Sequence, residues 1–437
     1  MNSGTRPWQD LTRSRASVEA SMRRRYARER RFRAAGFTCV MVGLLFLVIF
    51  FVSILRDGIG AFTHTQIDLP VNVYAEDVDP LGDGSRLSLQ EGNYSRVIRD
   101  SLSALFPGND TVAGRRALSA LVSVEAAYQL RRHVVADPTL VGKRVLISVP
   151  ASANVDLLLR DRIDRTAPEP QRVLSDQQIA WIDTLSSQGM TRTVFNQALF
   201  TNGDSREPEL AGIRSAFMGS LYMLMVTFCL AFPVGVAAAL YLEEFAPRNR
   251  WTDLIEININ NLAAVPSIVY GLLGLAIFVN VASLPRSAPL VGGLVLALLT
   301  LPVIIISSRA AIRAVPPSIR DAALSVGASP VQTVFQHVLP LALPGVMTGS
   351  IIGMARALGE SAPLLMIGMV AFVVDVPSGI LEPATALPVQ VYLWADSPER
   401  AFVERTSAAI IVLLGFLLAM NLLAVLLRRY FERQRRW

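Results

Sequence analysis

Two residues of opposite charge, Arg356 and Glu360, interrupt an apolar stretch that begins near Leu341. Four positions apart, they share one face of a helix and are spaced to pair. An ionisable group at bilayer depth costs about 2.5–3.5 kcal/mol on insertion scales and usually faces a polar pathway. Arg356 follows Leu341 by about 15 residues, roughly 22 Å along a helix. That is past the midplane of a hydrocarbon core of roughly 30 Å. A guanidinium there presents a planar fork of donors that suits an oxyanion and equally suits Glu360. A structural ion pair and a contact in an anion pathway are therefore both open readings. Beside the pair, Gly349, Gly353 and Ala357 recur every four residues, a small-residue face that permits close helix packing. Asn258, Asn260 and Asn261 form a second polar group, suited to lining a vestibule near the inner surface, to bonding between helices, or to capping a helix start.

A third constellation reads Arg-Asp-Ala-Ala-Leu-Ser-Val-Gly over 320–327 and continues to His337-Val338-Leu339-Pro340. A helix ending at a glycine, then a short helix ending at Leu-Pro, makes a compact elbow. Other chemistries find no residues. The one lysine, Lys143, follows Gly142 but precedes Arg144 instead of a Ser or Thr, so no phosphate-cradling loop exists. His64, His133 and His337 are scattered, with no Cys/His spacing for a metal. No Gly-x-Ser-x-Gly turn occurs. The chain is expected to catalyse nothing and to bind no cofactor or metal itself.

The elements that position these residues follow from composition. Of 437 residues, 52% are hydrophobic and 17% charged, against about 25% charged in soluble domains; mean hydropathy is +0.42. Much of the chain must lie in lipid. Charge-free stretches predict six spanning helices, at 34–55, 214–243, 256–286, 286–309, from 341 onward, and 406–427. Residues 361–374 form a further short apolar piece, re-entrant or lying on the surface. The first stretch is too long for a cleaved signal and is expected to stay as an anchor. Cys39 and Cys229 sit in apolar runs as small buried hydrophobes, with no disulfide expected.

Residues 1–33 hold ten arginines against three acids, and the chain after Leu427 holds five arginines against Glu432. The 309–340 loop carries Arg309, Arg313 and Arg320 against Asp321, whereas 375–404 is acidic. The positive-inside bias makes both termini and that loop cytoplasmic. The expected organisation is a basic arm (1–33), a first helix (34–55), an outer domain (56–210), a membrane domain (211–429) and a basic tail (430–437). The outer domain alternates strand-like pieces (67–74, 144–149) with helix-like ones (94–105, 117–132, 177–185), a small α/β domain. Its 20 acids against 16 basic residues make it net acidic, and no chemistry-bearing cluster is visible in it.

The elbow resembles the EAA loop of ABC-importer permeases. Asp321, Ala322, Ala323, Gly327, Leu339 and Pro340 fall on its spacing, with Asp321 in place of the usual glutamate and His337 where an aliphatic residue is common. The resemblance implies a coupling helix that docks on a cytoplasmic ATPase. The run Arg-Ala-Leu-Gly-Glu-Ser-Ala-Pro at 356–363 resembles the signature of PstA-type phosphate permease subunits. So do Glu243-Glu244-Phe245-Ala246-Pro247, the asparagines leading into Pro266-Ser267-Ile268-Val269-Tyr270-Gly271, and Ala314-Val315-Pro316-Pro317.

This resemblance covers about 211–429. It implies an all-α polytopic protein of the bacterial inner membrane, a MetI-like type I ABC importer permease, with the α/β domain as a periplasmic extension. Inorganic phosphate would cross by alternating access past Arg356, Glu360, Asn258 and Asn260. Partners would be ATP-binding subunits that hold ATP and Mg, a second homologous permease, a periplasmic phosphate-binding protein and membrane lipid. Nucleic acid is not among them, because topology and anionic lipid account for the basic arm. Two alternatives stay open. One is a permease for another oxyanion or small solute. The other is a membrane-anchored sensor, which the short inner segments disfavour.

Overall fold

The computed structural model describes the backbone of residues 7–109 and 111–433 and, among these, the side chains of Met22, 25–109 and 111–430. The extreme ends of the expected arm (1–6) and tail (434–437) lie outside the described residues. The chain divides into two compact units at Arg56 and Asp57. The first is helical. Helix α1 (Pro7–Gly58) carries the basic arm into the first apolar stretch without a break, and the span Arg25–Phe62 reaches a hydropathy of 2.9.

The second unit opens on a three-stranded antiparallel sheet of order β2-β1-β3, built from β1 (Thr63–Asn72), β2 (Arg144–Pro150) and β3 (Thr191–Phe195). Ile67, Leu69 and Val71 of β1 are fully buried, the period-2 pattern of a strand with one face in a core. Ile67 lies opposite Val149 on one side and Thr191 on the other. The β3 ladder stops at Ile67, so Pro70, which has no N–H to give, needs a partner strand on one side only. Helices α2 (Tyr94–Leu105), α3 (Val112–Ser119), α4 (Glu125–Ala136), α5 (Ala153–Leu159) and α6 (Asp176–Ser187) complete this inserted domain. They bury Leu102, Leu118, Leu130, Leu158 and Ile182 in one core with the sheet. Helix α6 starts at a reciprocal cap between Ser175 and Gln178.

The single helix expected over 117–132 is instead two, α3 and α4. Between them Val122 bridges Ala151 and the Ser123 amide donates to the Pro150 carbonyl at 2.9 Å. Pairing with the end of β2 takes the backbone groups that a continuous helix would have used. Strand β3 was not foreseen at all.

The membrane-capable part comprises α7 (Arg214–Leu240), α8 (Arg250–Ala263), α9 (Ser267–Gly274), α10 (Pro289–Arg313), α11 (Pro317–Ser325), α12 (Pro330–Thr333), α13 (Leu339–Gly359), α14 (Ala362–Met366), α15 (Leu387–Ala395) and α16 (Ala401–Arg433). Among the described residues five helices are long and apolar enough to cross a membrane, or six if α8 and α9 make one span broken by a bend of 100°. Pro266 stands at that bend, where it disfavours helix in the residue before it.

Helix α7 lies close on α10. A side chain at Gly235 would meet Ile304, one at Gly293 would meet Val226, and the Thr227 hydroxyl donates to the Gly293 carbonyl at 3.2 Å. The small-residue face of α13 packs on α10 as its spacing indicates, Gly345 against Ala311 and Gly349 against Ser307.

Two expectations, for the Leu339-Pro340 helix end and for the cysteines, need correction. The short helix expected to end at Leu339-Pro340 does not end there: a π-helical turn (Val334–Val338) carries α12 straight into α13. Pro340 falls in the first turn of α13, where its missing N–H is tolerated. Residues 361–374 form no spanning helix. After α14 the chain turns at Gly368 (φ +89) and is stitched to its surroundings by Ser287 Oγ donating to the Gly368 carbonyl (2.6 Å) and the Asp204 amide donating to the Val373 carbonyl (3.0 Å). Cys39 and Cys229 are free but exposed, because an apolar side chain in lipid gains little from being covered by protein.

The inserted domain is fastened to the start of α16 by charge. Arg160 bonds Asp156 at 2.7 Å and approaches Glu404 at 3.5 Å, and Arg162 meets Glu404 at 3.3 Å. Arg405 beside them is 6% exposed. Nearby, Trp394 Nε1 donates to Asp204 at 2.9 Å.

Candidate functional site: the elbow and its ionic anchor

The elbow grows from two prolines. Pro316 and Pro317 open α11, Pro317 in the first helical turn, where a missing N–H leaves nothing unsatisfied. The helix closes with Gly327 at φ +90, a left-handed conformation that a side chain disfavours, although the space around its Cα is open. Ser329 then caps α12 in a reciprocal box with Gln332. Asp321 and Ala322 are exposed and Ala323 is buried, while Leu339 and Pro340 are half-buried where α13 begins. The tip of the elbow is apolar and uncovered. Val326 is 85% exposed, and Leu324, Val331 and Phe335 are each about half exposed.

What anchors the elbow is a cluster of three arginines and three glutamates drawn from four elements. Arg320, on α11, grips Glu244 at 2.6 Å with Nη2 and at 3.2 Å with Nε. The same guanidinium donates to the Val315 (2.8 Å) and Ile312 (3.1 Å) carbonyls at the open end of α10, groups that a helix leaves without partners. Hydrogen bonding to Glu244 pushes the Arg320 guanidinium above its already high ordinary value, so it is permanently charged. Glu243 and Glu244 lie in a π-helical turn (Tyr241–Phe245) that ends α7. Arg309 joins Glu256 of α8 at 2.8 Å and Glu243 at 3.3 Å, and Arg313 joins Glu243 at 2.6 Å. The ends of α7, α8, α10 and α11 are thus held by one ionic network. Sequence reasoning counted these arginines for topology only and missed the pairs. Partners 53 to 76 positions apart leave no local signal, although the Glu243-Glu244 doublet within the resemblance was a hint.

Arg356 occupies the last turn of α13 and Glu360 its C-cap. Nε of Arg356 meets Glu360 at 3.3 Å, with the arginine side chain 50% exposed and the glutamate 20%. Among the described residues the two Nη groups of Arg356 have no partner. Asn258 donates to the Leu254 carbonyl within α8 at 2.7 Å, and both it and Asn260 are exposed. The asparagines do not join Arg356. They lie within about one turn of Glu256, which pairs with Arg309, whereas Gly353 of α13 sits level with Ile304 of α10. Among the described residues no group of three or more His, Cys, Asp or Glu could hold a metal.

Comparison with known proteins bears on this arrangement. Residues 231–437 match a family described as binding-protein-dependent transport system inner membrane component. Residues 19–169 match a domain of unknown function (DUF3333). A probable ABC transporter permease protein of Bacillus subtilis, YqgI, is 34% identical over 193 residues, 41% of this chain and 65% of its own length. The phosphate transport system permease protein PstA 1 of Mycobacterium tuberculosis is 31% identical over 226 residues, 52% of this chain and 72% of its own length. A solved structure of the MetNI methionine ABC transporter in an inward-facing conformation aligns with 49% of this chain and 94% of the other, at 19% identity and a TM-score of 0.40.

Proposed function

We propose a transport function from one premise: the chain belongs to the PstA-type family of binding-protein-dependent transport inner-membrane components. It is a non-catalytic permease subunit of an ATP-driven ABC importer, an integral, multi-pass membrane protein whose solute is inorganic phosphate. The observation that carries this reading is the anchored elbow. Its uncovered apolar tip at Leu324 and Val326 fits a groove on a soluble ATPase, and the Arg320–Glu244 grip passes any displacement of that tip to α7 and α10.

In this reading both termini and the elbow are cytoplasmic, six helices span the membrane and the inserted domain is periplasmic. ATP and Mg belong to the docked ATPase, a second permease subunit completes the path, and an outer binding protein delivers phosphate. Arg356 meets the anion with its two unengaged Nη groups while Nε stays on Glu360. Asn258 and Asn260 would act separately, nearer the inner mouth. A second reading, transport of another oxyanion, is favoured by one fact: a single guanidinium fork does not distinguish phosphate from sulfate.

The test is uptake of labelled phosphate into cells whose only phosphate importer contains this chain, with sulfate, molybdate and arsenate as competitors. Phosphate uptake that falls when Val326 is changed to Asp, with membrane insertion intact, is expected. Uptake indifferent to Val326→Asp sinks the elbow assignment, and stronger competition by sulfate than by arsenate sinks phosphate as the solute.

A further inference from the structure

The inserted domain contains a cavity of about 440 Å³ between α2, α4 and the turn that joins α3 to α4. Two guanidinium groups line it, Arg99 on α2 and Arg131 on α4, and no carboxylate does. This is unexpected in a domain with 20 acids against 16 basic residues between Arg56 and Glu209. Neighbouring arginines on the same helices are already engaged: Arg96 with Asp77 and Asp100, and Arg132 with Glu125. Among the described residues neither Arg99 nor Arg131 has a carboxylate partner. The Arg131 guanidinium stands 5.3 Å over the centre of the Tyr128 ring, a contact that orients it and leaves its edge donors available. Asn93, Ser95, Ser119 and Ser123 add polar groups, Tyr94 contributes a ring whose hydroxyl is spent on the Leu89 carbonyl, and the rest of the lining is small or aliphatic.

Two unpaired cations at one cavity select for an anion. The volume selects for more than a bare oxyanion, because it lies in the range of small-ligand pockets, about 300–1,000 Å³. The ring of hydroxyl and amide groups suits a hydroxylated body. We propose that this cavity is a binding site for a small organic phosphate of the sugar-phosphate class. Arg99 and Arg131 take the phosphoryl oxygens, and Asn93, Ser95 and Ser119 bond the hydroxyl groups. The site is separate in residues and in element from Arg356, so it stands apart from the transport reading and survives that reading's failure.

The probe is glucose 6-phosphate, titrated calorimetrically into the full chain in phosphatidylcholine nanodiscs, with glucose and inorganic phosphate as separate arms. Expected is saturable binding of glucose 6-phosphate, at least 10-fold tighter than either other probe, unchanged by Arg356→Gln. Arg99→Gln with Arg131→Gln should weaken it at least 10-fold while the thermal unfolding midpoint stays near that of the parent. If that double variant fails to fold, Arg99→Lys with Arg131→Lys keeps both charges, loses both forks, and should still weaken binding severalfold. Absence of saturable glucose 6-phosphate binding overturns the proposal. So does equal affinity for inorganic phosphate in the Arg356→Gln chain, and so does parent-like binding in whichever double variant folds.

Discussion

Changing Arg320 to Gln removes the cation that grips Glu244 where α11 meets the ends of α7 and α10. Glu244 is 10% exposed and Arg320 23%, so the carboxylate left behind is largely cut off from water. Removing one partner of a fully buried pair costs about 3–5 kcal/mol; the partial exposure of Arg320 reduces this to about 2–3 kcal/mol. The Val315 and Ile312 carbonyls also lose their donor, which the glutamine amide only partly replaces. A shift of about 2–3 kcal/mol is roughly a 30- to 150-fold change in the equilibrium that seats α11 against the ends of α7 and α10. Thermal unfolding of the purified chain in detergent, together with phosphate uptake, reads it out. Glu244→Gln alone should also destabilise, and the Glu244→Gln, Arg320→Gln double variant should recover part of the loss. The coupling should exceed the roughly 0.5 kcal/mol within which distant, independent sites add. Strict additivity, or parent-like stability and uptake in Arg320→Gln, would refute the view that this pair holds the elbow.

Gly327→Ala has open space but must adopt φ +90, at a cost of about 1–2 kcal/mol; uptake should fall while insertion is unchanged, and normal uptake would show that the turn tolerates other conformations. Exchanging the outer pair, Arg356→Glu with Glu360→Arg, should leave a chain that folds and assembles but does not transport if Arg356 meets the anion; substantial uptake would make it a structural residue. His64, on β1, faces Asp156, Arg405, Arg160 and Asn196, and burial holds its imidazole below the usual value, with Asp156 opposing. The unfolded chain therefore binds the proton more readily, so the stability this group contributes is fully present above about pH 6.5 and is lost as pH falls through its lowered folded value. The drop in unfolding midpoint between pH 7.5 and 5.5 should shrink in His64→Gln, and an unchanged drop counts against the assignment.

The parts of this fold that were legible in the sequence are those governed by local rules. Helix α2 lies where its apolar spacing puts it, and β1 and β2 follow from alternation and β-branched residues. The i,i+4 pairing of Arg356 with Glu360 needs only helical geometry. Features set by distant partners were not legible. Strand β3 reads Thr-Arg-Thr-Val-Phe with little alternation, and only the β1 edge makes it a strand. The break between α3 and α4 comes from β2, the run of helix through Pro340 from a π turn, and the elbow's anchor from glutamates some seventy positions away. The cationic cavity went unseen because Arg99 and Arg131 come from separate helices and are embedded in an acidic stretch.

The bonds from Arg160 and Arg162 to Glu404, with the Trp394–Asp204 bond beside them, have a mechanical consequence. A domain hung on a supple tether filters out force; one bolted to the first turn of a long helix delivers it. Torque applied to the sheet would reach α16 as rotation about its own axis, and any tilt of α16 would sweep the far edge of the domain through an arc magnified by its distance from the bolt. The domain would then act as a handle on the last helix. Spin labels at Ser187 and Asp396 should give one narrow distance distribution in every nucleotide state of the transporter, and a broad or state-dependent distribution would show that the bolt slips.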